Sequence, residues 1–251
     1  PGLIFVHIPK TGGSSISAAL RKHYRLSKFN IKSELTARAA RRRYGKFEED
    51  AGREEDLQQF RLSLIYHEAE KGTRFITGHF WINEHLTSLK ELGYAVVTCL
   101  RDPVDRWFSH YLYGRYKEGA HGRIDDDIDS FLSSELAVIF GTTYVRYLGG
   151  ARGEGDYTSP TAVTQAIENM GMFDVMGFLH NMEDFRRRVE DLTGFSLRAH
   201  HRRRSPADPD EVKRIKGSKD IRREVERLCR PDREIYEEAI RKFGLGAGST
   251  G

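Results

Sequence analysis

Two hydrophobic periods alternate along the first half of the chain. Leu3 to Ile8 is an unbroken apolar run rich in branched side chains, closed by Pro9 and a glycine pair, as a buried parallel strand would be. Behind it Ile16, Ala19, Leu20, His23 and Tyr24 recur at helical spacing, and Ser14 or Ser15 is placed to cap that helix. Phe75-Ile-Thr-Gly-His79 predicts a second strand with a turn at its end. Tyr94 to Leu100 is the clearest strand, apolar on both faces and therefore expected in the middle of a sheet. Asp102 then caps a helix with Pro103 at its first position, where a missing N–H costs nothing. Val104, Trp107, Phe108, Tyr111 and Leu112 mark that helix's buried stripe, and Asp102 and Arg106 are spaced to pair on its surface.

The remainder reads as mostly helical. Residues 32 to 56 are polar and predict an exposed helix or loop insertion, followed by a helix from Leu57 to Ala69 and a short one from Glu84 to Leu92. Lys117 to Asp127 is a Gly- and Asp-rich loop, and 128 to 148 looks helical. A helix from Ser159 to Asn169, a short strand at Asp174 to Gly177 and a helix from Met182 to Thr193 stopped by Gly194 come next. Charged helices end near Phe243. Strands alternating with helices predict an α/β fold of three layers around a central parallel sheet. We expect a single domain over 1–251, with helical insertions near 30–70 and 117–170 and a helical C-terminal part over 206–244.

Composition narrows the field. With 38% hydrophobic and 31% charged residues the chain can bury a core and remain water-compatible, and no run of 18 apolar residues is present to span a membrane. The net charge of +4 is mild for a nucleic-acid binder and comfortable for a protein that holds an anionic cofactor. Two cysteines, Cys99 and Cys229, make no disulfide framework, and no Asn-x-Ser/Thr sequon occurs, which favours a reducing, cytoplasmic setting. No signal peptide is legible, and Pro1 opens almost directly into a strand, as a chain trimmed upstream would.

Ligands of parallel sheets bind beyond the strand C-termini, and three strand ends here carry Pro9-Lys10-Thr11, Gly78-His79 and Arg101-Asp102. In the first, Gly12 and Gly13 let the backbone wrap a phosphate at a helix N-terminus, Lys10 brings a mobile charge, and Thr11, Ser14 and Ser15 bring hydroxyl donors. The ATP-binding pattern GxxxxGK[ST] is not met, because Lys10 precedes the glycines. If the first and third strands neighbour each other, Arg101 sits beside this loop, and Ser109, two helical turns on, can join it around a second phosphate of the same ligand.

His7-Ile-Pro-Lys-Thr-Gly-Gly-Ser-Ser15 and Leu100-Arg-Asp-Pro-Val-Asp-Arg-Trp-Phe-Ser-His-Tyr111 resemble the two cofactor motifs of the carbohydrate sulfotransferases, closest to the heparan sulfate 2-O-sulfotransferase branch and its bacterial relatives. Phe75-Ile-Thr-Gly-His79 and Val175 to Phe185 add further echoes. The resemblance implies a P-loop nucleotide-kinase-like sulfotransferase fold and 3′-phosphoadenosine 5′-phosphosulfate (PAPS, leaving the bisphosphate PAP) as donor. It implies that Lys10, Thr11, Gly12, Gly13, Ser14 and Ser15 hold the 5′-phosphosulfate, that Arg101 and Ser109 hold the 3′-phosphate, and that His79 is the catalytic base. Lys10 then has a second, catalytic role, stabilising charge on the departing oxygen. His7 reads as structural, and His110 and His85 as weaker candidates for the base. No metal is expected, and Asp125-Asp-Asp127 reads as a solvated loop.

His200 to Arg204 reads either as a loop over the nucleotide or as a solvated surface, Arg41–Arg43 and Arg186–Arg188 as solvated faces or contacts to an acidic acceptor, and Arg146 as a residue that can face the cleft. The chain lacks the animal enzymes' sequons and cysteine pairs, which points to a bacterial, cytoplasmic enzyme acting on a saccharide, glycolipid precursor or small metabolite. Two other classes compete: a P-loop-type kinase, which lacks its glycine pattern and a free magnesium-binding Asp, and a non-enzymatic basic module for nucleic acid or acidic glycan, supported only by the arginine clusters. We therefore expect no nucleic-acid partner.

Overall fold

The computed structural model of the protein describes residues 2–45, 51–119, 122–150, 155–197 and 207–244. The first apolar run forms β1 (Gly2–Val6), and a tight loop leads into α1 (Gly13–His23). A short β2 (Lys28–Asn30) precedes α2 (Ser33–Tyr44) and the long α3 (Ala51–Glu70). Next come β3 (Phe75–Gly78), a 3₁₀ turn at Glu84–Thr87 running into α4 (Ser88–Glu91), β4 (Tyr94–Leu100) and α5 (Pro103–Tyr116). The segment predicted as one helical stretch over 128–148 is divided into α6 (Ile128–Leu132), α7 (Glu135–Gly141) and α8 (Thr143–Gly149). After α9 (Pro160–Asn169) the chain forms β5 (Val175–Phe178) and α10 (Met182–Thr193). The described chain then continues through α11 (Pro209–Gly217), α12 (Lys219–Leu228) and α13 (Arg230–Phe243).

Among the described residues the five strands make one sheet in the order β2-β3-β1-β4-β5, with every pairing parallel. Helices cover both faces, as the alternation of the strand side chains requires. Ile4, Val6, Ile76, Val96 and Met176 point into a core shared with α3, α8, α9 and α13. Leu3, Phe5, Phe75, Val97 and Val175 point the other way, onto α1 and α10. The expected three-layer α/β architecture around a parallel sheet is therefore what the chain adopts. A third core, rich in aromatics, lies away from the sheet, where Trp107, Phe108 and Tyr111 of α5 meet Phe131, Phe140, Val225 and Leu228.

Three local expectations change. β1 stops at Val6 rather than Ile8: its last ladder bond is His7 N–H to Gly78 C=O at 3.0 Å, and Pro9 has no N–H with which to continue. β2 carried no sequence signal, because three edge residues with one half-buried Phe29 give no alternation to read. Asp102 does cap α5, accepting the Asp105 N–H, but it does not pair with Arg106. Asp102 instead meets Arg233 at 2.8 Å, while Arg106 is fully buried and pairs with Asp232 at 3.4 Å. Asp232 also accepts the N–H groups of Tyr144 and Val145 at 2.9 and 3.1 Å. Burial drives its pKa upward against the pull of Arg106 and these N–H donors. This buried pair ties α5, α8 and α13 together behind the site.

Candidate active site

β1 lies between β3 and β4, so the chain crosses from one side of β1 to the other when it passes from β3 to β4. Ligand clefts form at such reversals, beyond the strand C-termini. The three chemically loaded strand ends meet there. They line one cavity of about 890 Å³, whose walls include Lys10, Gly12, Ser14, Ser15, His79, Arg101 and Ser109. That volume lies within the roughly 300–1,000 Å³ typical of small-molecule sites.

The β1–α1 loop is a concave turn built by two left-handed residues. Lys10 has φ 66° and Gly12 has φ 82°, and alternation of this kind turns successive N–H groups toward one point, an arrangement suited to an anion. Gly12 occupies the cap position of α1, which carries no side-chain cap bond and begins at Gly13. The expected capping by Ser14 or Ser15 is thus corrected: a left-handed glycine makes the turn, and both serines stay in the first turn, lining the cavity. Close packing explains the glycines. A Cβ on Gly12 would meet Leu179 Cδ1 at 2.5 Å, and one on Gly13 would meet the His7 ring at 2.7 Å. Thr11 is corrected as a hydroxyl donor to ligand. Its side chain is fully buried and donates to Ile8 C=O at 2.9 Å, closing the loop on itself, and neither it nor Gly13 lines the cavity.

Lys10 extends its ammonium over the Tyr113 ring, 3.7 Å from the centroid, at the cavity wall. Arg101 leaves β4 beside this loop and donates from Nη1 to Lys10 C=O at 3.4 Å. Its own peptide is gripped by Tyr144, whose hydroxyl accepts the Arg101 N–H at 2.9 Å and donates to the Arg101 carbonyl at 2.5 Å. Ser109 faces the same space from α5. Of the lysines and arginines, Lys10, Lys32, Arg101, Lys117 and Lys216 line the cavity, against the single carboxylate of Glu34. The cavity is electropositive and suited to a ligand with more than one anionic group.

His79 stands at the β3 end. Its Nδ1 lies 2.5 Å from the His7 carbonyl oxygen, which can only accept, so Nδ1 carries the proton and Nε2 keeps its lone pair. Burial lowers its pKa from the ordinary histidine value, the His7 hydrogen bond raises it somewhat, and the nearby Arg61 guanidinium lowers it again. His7 is not inside the strand as expected. It lies just past it, lines the cavity, and packs its ring against that of His79 at 4.5 Å. His110 also lines the cavity, stacked on Phe140 at 3.7 Å; burial first, then Arg106 and Lys10, drive its pKa well down. His85 is exposed beside Glu84 and lies away from the cavity.

Other expectations shift. Arg146 does not line the cavity; it pairs with Glu54 at 3.4 Å and lies over the Tyr157 ring at 4.0 Å. Of Arg186–Arg188 only Arg187 is exposed, where it pairs with Asp184; half-buried Arg188 also meets Asp184 and donates to Met176 C=O at 2.6 Å, and Arg41–Arg43 are exposed on α2. His200 to Arg204 lie outside the described residues. Sequence reasoning missed Lys32, Ser33 and Glu34 at the start of α2, Tyr113 and Lys117 at the end of α5, and Val212 and Lys216 of α11. Lys32, Ser33, Glu34 and Lys117 fall within the insertions expected near 30–70 and 117–170, whereas nothing in the sequence marked Tyr113 or α11.

A left-handed glycine turn, the arginine at the adjoining strand end and the hydrogen-bonded imidazole of His79 thus meet at one electropositive cavity of an α/β fold. Residues 1–126 match the sequence model of the Sulfotransferase family, and the chain belongs to that family. Its chemistry is accordingly sulfuryl transfer to a hydroxyl-bearing acceptor. The matched segment runs from β1 past α5 and contains all three strand ends that meet at the cavity. No curated protein matches the chain. Among the described residues no helix is long and apolar enough to cross a membrane.

Proposed function

We propose that the protein transfers the sulfuryl group of PAPS to a hydroxyl of a saccharide or glycan-like acceptor, with His79 as general base. The observation that carries this reading is the 2.5 Å contact between His79 Nδ1 and the His7 carbonyl. It leaves Nε2 as the acceptor of a proton on a residue that lines an electropositive cavity.

The residues present fit a bisphosphorylated nucleotide donor. The left-handed turn at Lys10 and Gly12, with the unpaired N–H groups of the first turn of α1, supports binding of its 5′-phosphosulfate. Arg101 and Ser109 are the groups for its 3′-phosphate. Bound there, the donor supplies an activated sulfuryl group on a phosphate leaving group, which the acceptor oxygen displaces in line. His79 Nε2 removes the acceptor's hydroxyl proton, a contribution of about 10²–10⁴-fold in such reactions. Depression of the His79 pKa by burial keeps the imidazole neutral near neutral pH, ready to accept. Lys10 meets the charge that builds on the departing oxygen, held at the cavity wall by the Tyr113 ring. Lys32, Ser33 and Glu34 form the wall left for the acceptor.

Two measurements test the reading. Sulfate transfer from PAPS across a panel of saccharides, glycolipid precursors and small alcohols, followed by mass spectrometry, should yield a sulfated product. In thermal shift, PAP at micromolar concentration should stabilise the protein without magnesium; equal stabilisation by Mg-ATP, or stabilisation only by a heparin-like oligomer, would replace this reading with a kinase or a binding module.

A further inference from the structure

Arg61 is out of place on its helix. Gln58, Arg61, Leu62, Ile65 and Ala69 form the buried stripe of α3, and Arg61 is only 6% exposed within it. An apolar residue of similar volume would avoid the cost of desolvating a guanidinium. Among the described contacts its guanidinium donates to three oxygens and to no carboxylate. Nη1 reaches the His79 carbonyl at 2.9 Å, Nε the Thr36 hydroxyl at 3.2 Å, and Nη2 the Ser33 carbonyl at 3.5 Å. One turn earlier on the same face, Gln58 Oε1 accepts the Trp81 N–H at 3.2 Å. Two polar side chains of α3 thus hold the backbone on either side of Phe80, and Arg61 also holds the first turn of α2, whose Lys32, Ser33 and Glu34 line the cavity.

We infer that Arg61 is a positioning residue for sulfuryl transfer: it fixes the His79 peptide and the acceptor-side wall at one mutual distance. The inference rests on His79 being the base. Arg61 touches neither the cavity nor the β1–α1 loop, so it acts through His79 and α2 and leaves the donor turn alone. It has a second consequence. The charged and titratable groups around His79 are Arg61 from α3 with Glu54 beside it, His7 from the β1 end, Lys10 of the β1–α1 loop, Lys32 and Glu34 at the start of α2, Arg101 at the β4 end, and His110 of α5, which feels the His79 charge. Of these, Arg61 is the permanent charge that opposes protonation of His79.

The test is Arg61→Gln in the full chain, with Arg61→Lys beside it. Turnover in Arg61→Gln should fall about 10²-fold, the order expected when reacting groups lose registration by about an ångström. PAP affinity by calorimetry should stay within about twofold, as a group with no donor contact requires. The acid limb of kcat/KM should move to higher pH, because a neutral side chain no longer opposes the imidazolium. The His79 ring resonances, followed by NMR titration, should shift in the same direction, a readout independent of turnover. Arg61→Lys should keep the limb near its wild-type position and recover only part of the rate, since one ammonium cannot reach three acceptors in a fork. An unmoved limb with wild-type turnover in either folded variant, or a loss confined to PAP affinity, would overturn the inference. If Arg61→Gln does not fold, the partial rate and kept limb of Arg61→Lys carry the test alone. Full activity in His79→Ala would instead remove the reading on which it rests.

Discussion

The two sides of the cavity are built by different means. The side proposed for the donor is mostly backbone: a left-handed Lys10, a left-handed Gly12, a helix start and an arginine at the next strand end, all within the residues that close β1 and β4. The side proposed for the acceptor is side-chain work done by an insertion, with α2 and α3 brought over the β3 end and fastened there by Arg61 and Gln58. A backbone cradle can serve one fixed anionic group, whereas a wall held by side chains can be rebuilt for different acceptors without disturbing it. His79, the proposed base, stands at the seam, with its ring against His7 and its carbonyl against Arg61.

Substitutions can break that division. His79→Ala should have the largest effect, lowering turnover by about 10²–10⁴-fold with PAP affinity unchanged, measured by sulfate transfer and calorimetry. Weakened PAP binding in that variant would show that the two sides are not separable. Lys10→Ala should lower turnover by about 10²–10³-fold, and unlike His79→Ala it should also weaken PAP, because its ammonium lines the donor cavity. Gly12→Ala adds a Cβ at φ 82° against Leu179, and the left-handed strain alone is about 1–2 kcal/mol. PAP affinity should fall about tenfold, and Leu179→Ala in the same chain should relieve the clash but not the strain.

The pH profile sharpens the comparison without mutation. Burial lowers the His79 pKa, so the proposed base stays neutral to lower pH than an ordinary histidine. The rate should hold to lower pH than an ordinary histidine allows, then fall as protonation of Nε2 sets in. An acid limb above the usual histidine value would mean that another group is titrating. Lys216→Ala should have the smallest effect. This half-exposed lysine of α11 reaches the cavity while pairing with Asp105 at 3.4 Å, so its loss should change PAP affinity by no more than about fivefold, and less at high salt.

Much of the donor side was legible in the sequence because it is local. A strand, a glycine pair and a helix start lie within a dozen residues, and Arg101 with its Asp102-Pro103 cap announces the second strand end in the same way. The local detail misled where a residue had two plausible uses. The motif offers Thr11 as a ligand donor, but its hydroxyl is committed to Ile8. Helical spacing pairs Arg106 with Asp102 on the surface, but it is buried against a residue 126 positions away that no periodicity could name. Arg61 was invisible for the same reason: its acceptors lie on α2 and at the end of β3, and a charge on an otherwise apolar stripe has no meaning until those elements surround it.

The sequence by itself determined the parallel α/β class, the anion turn, the second strand-end arginine and the histidine at the third strand end. Each is written in short-range patterns of hydrophobicity, glycine and capping, which act within a few residues. Only the tertiary structure decided that His79 is held in one tautomer by the His7 carbonyl, that α2 and α11 complete the cavity wall, and that α3 fastens the His79 peptide. Those facts depend on parallel pairing of β1 with β3 and on packing between helices far apart in the chain, where the partner of a side chain is set by the fold and not by its neighbours in sequence.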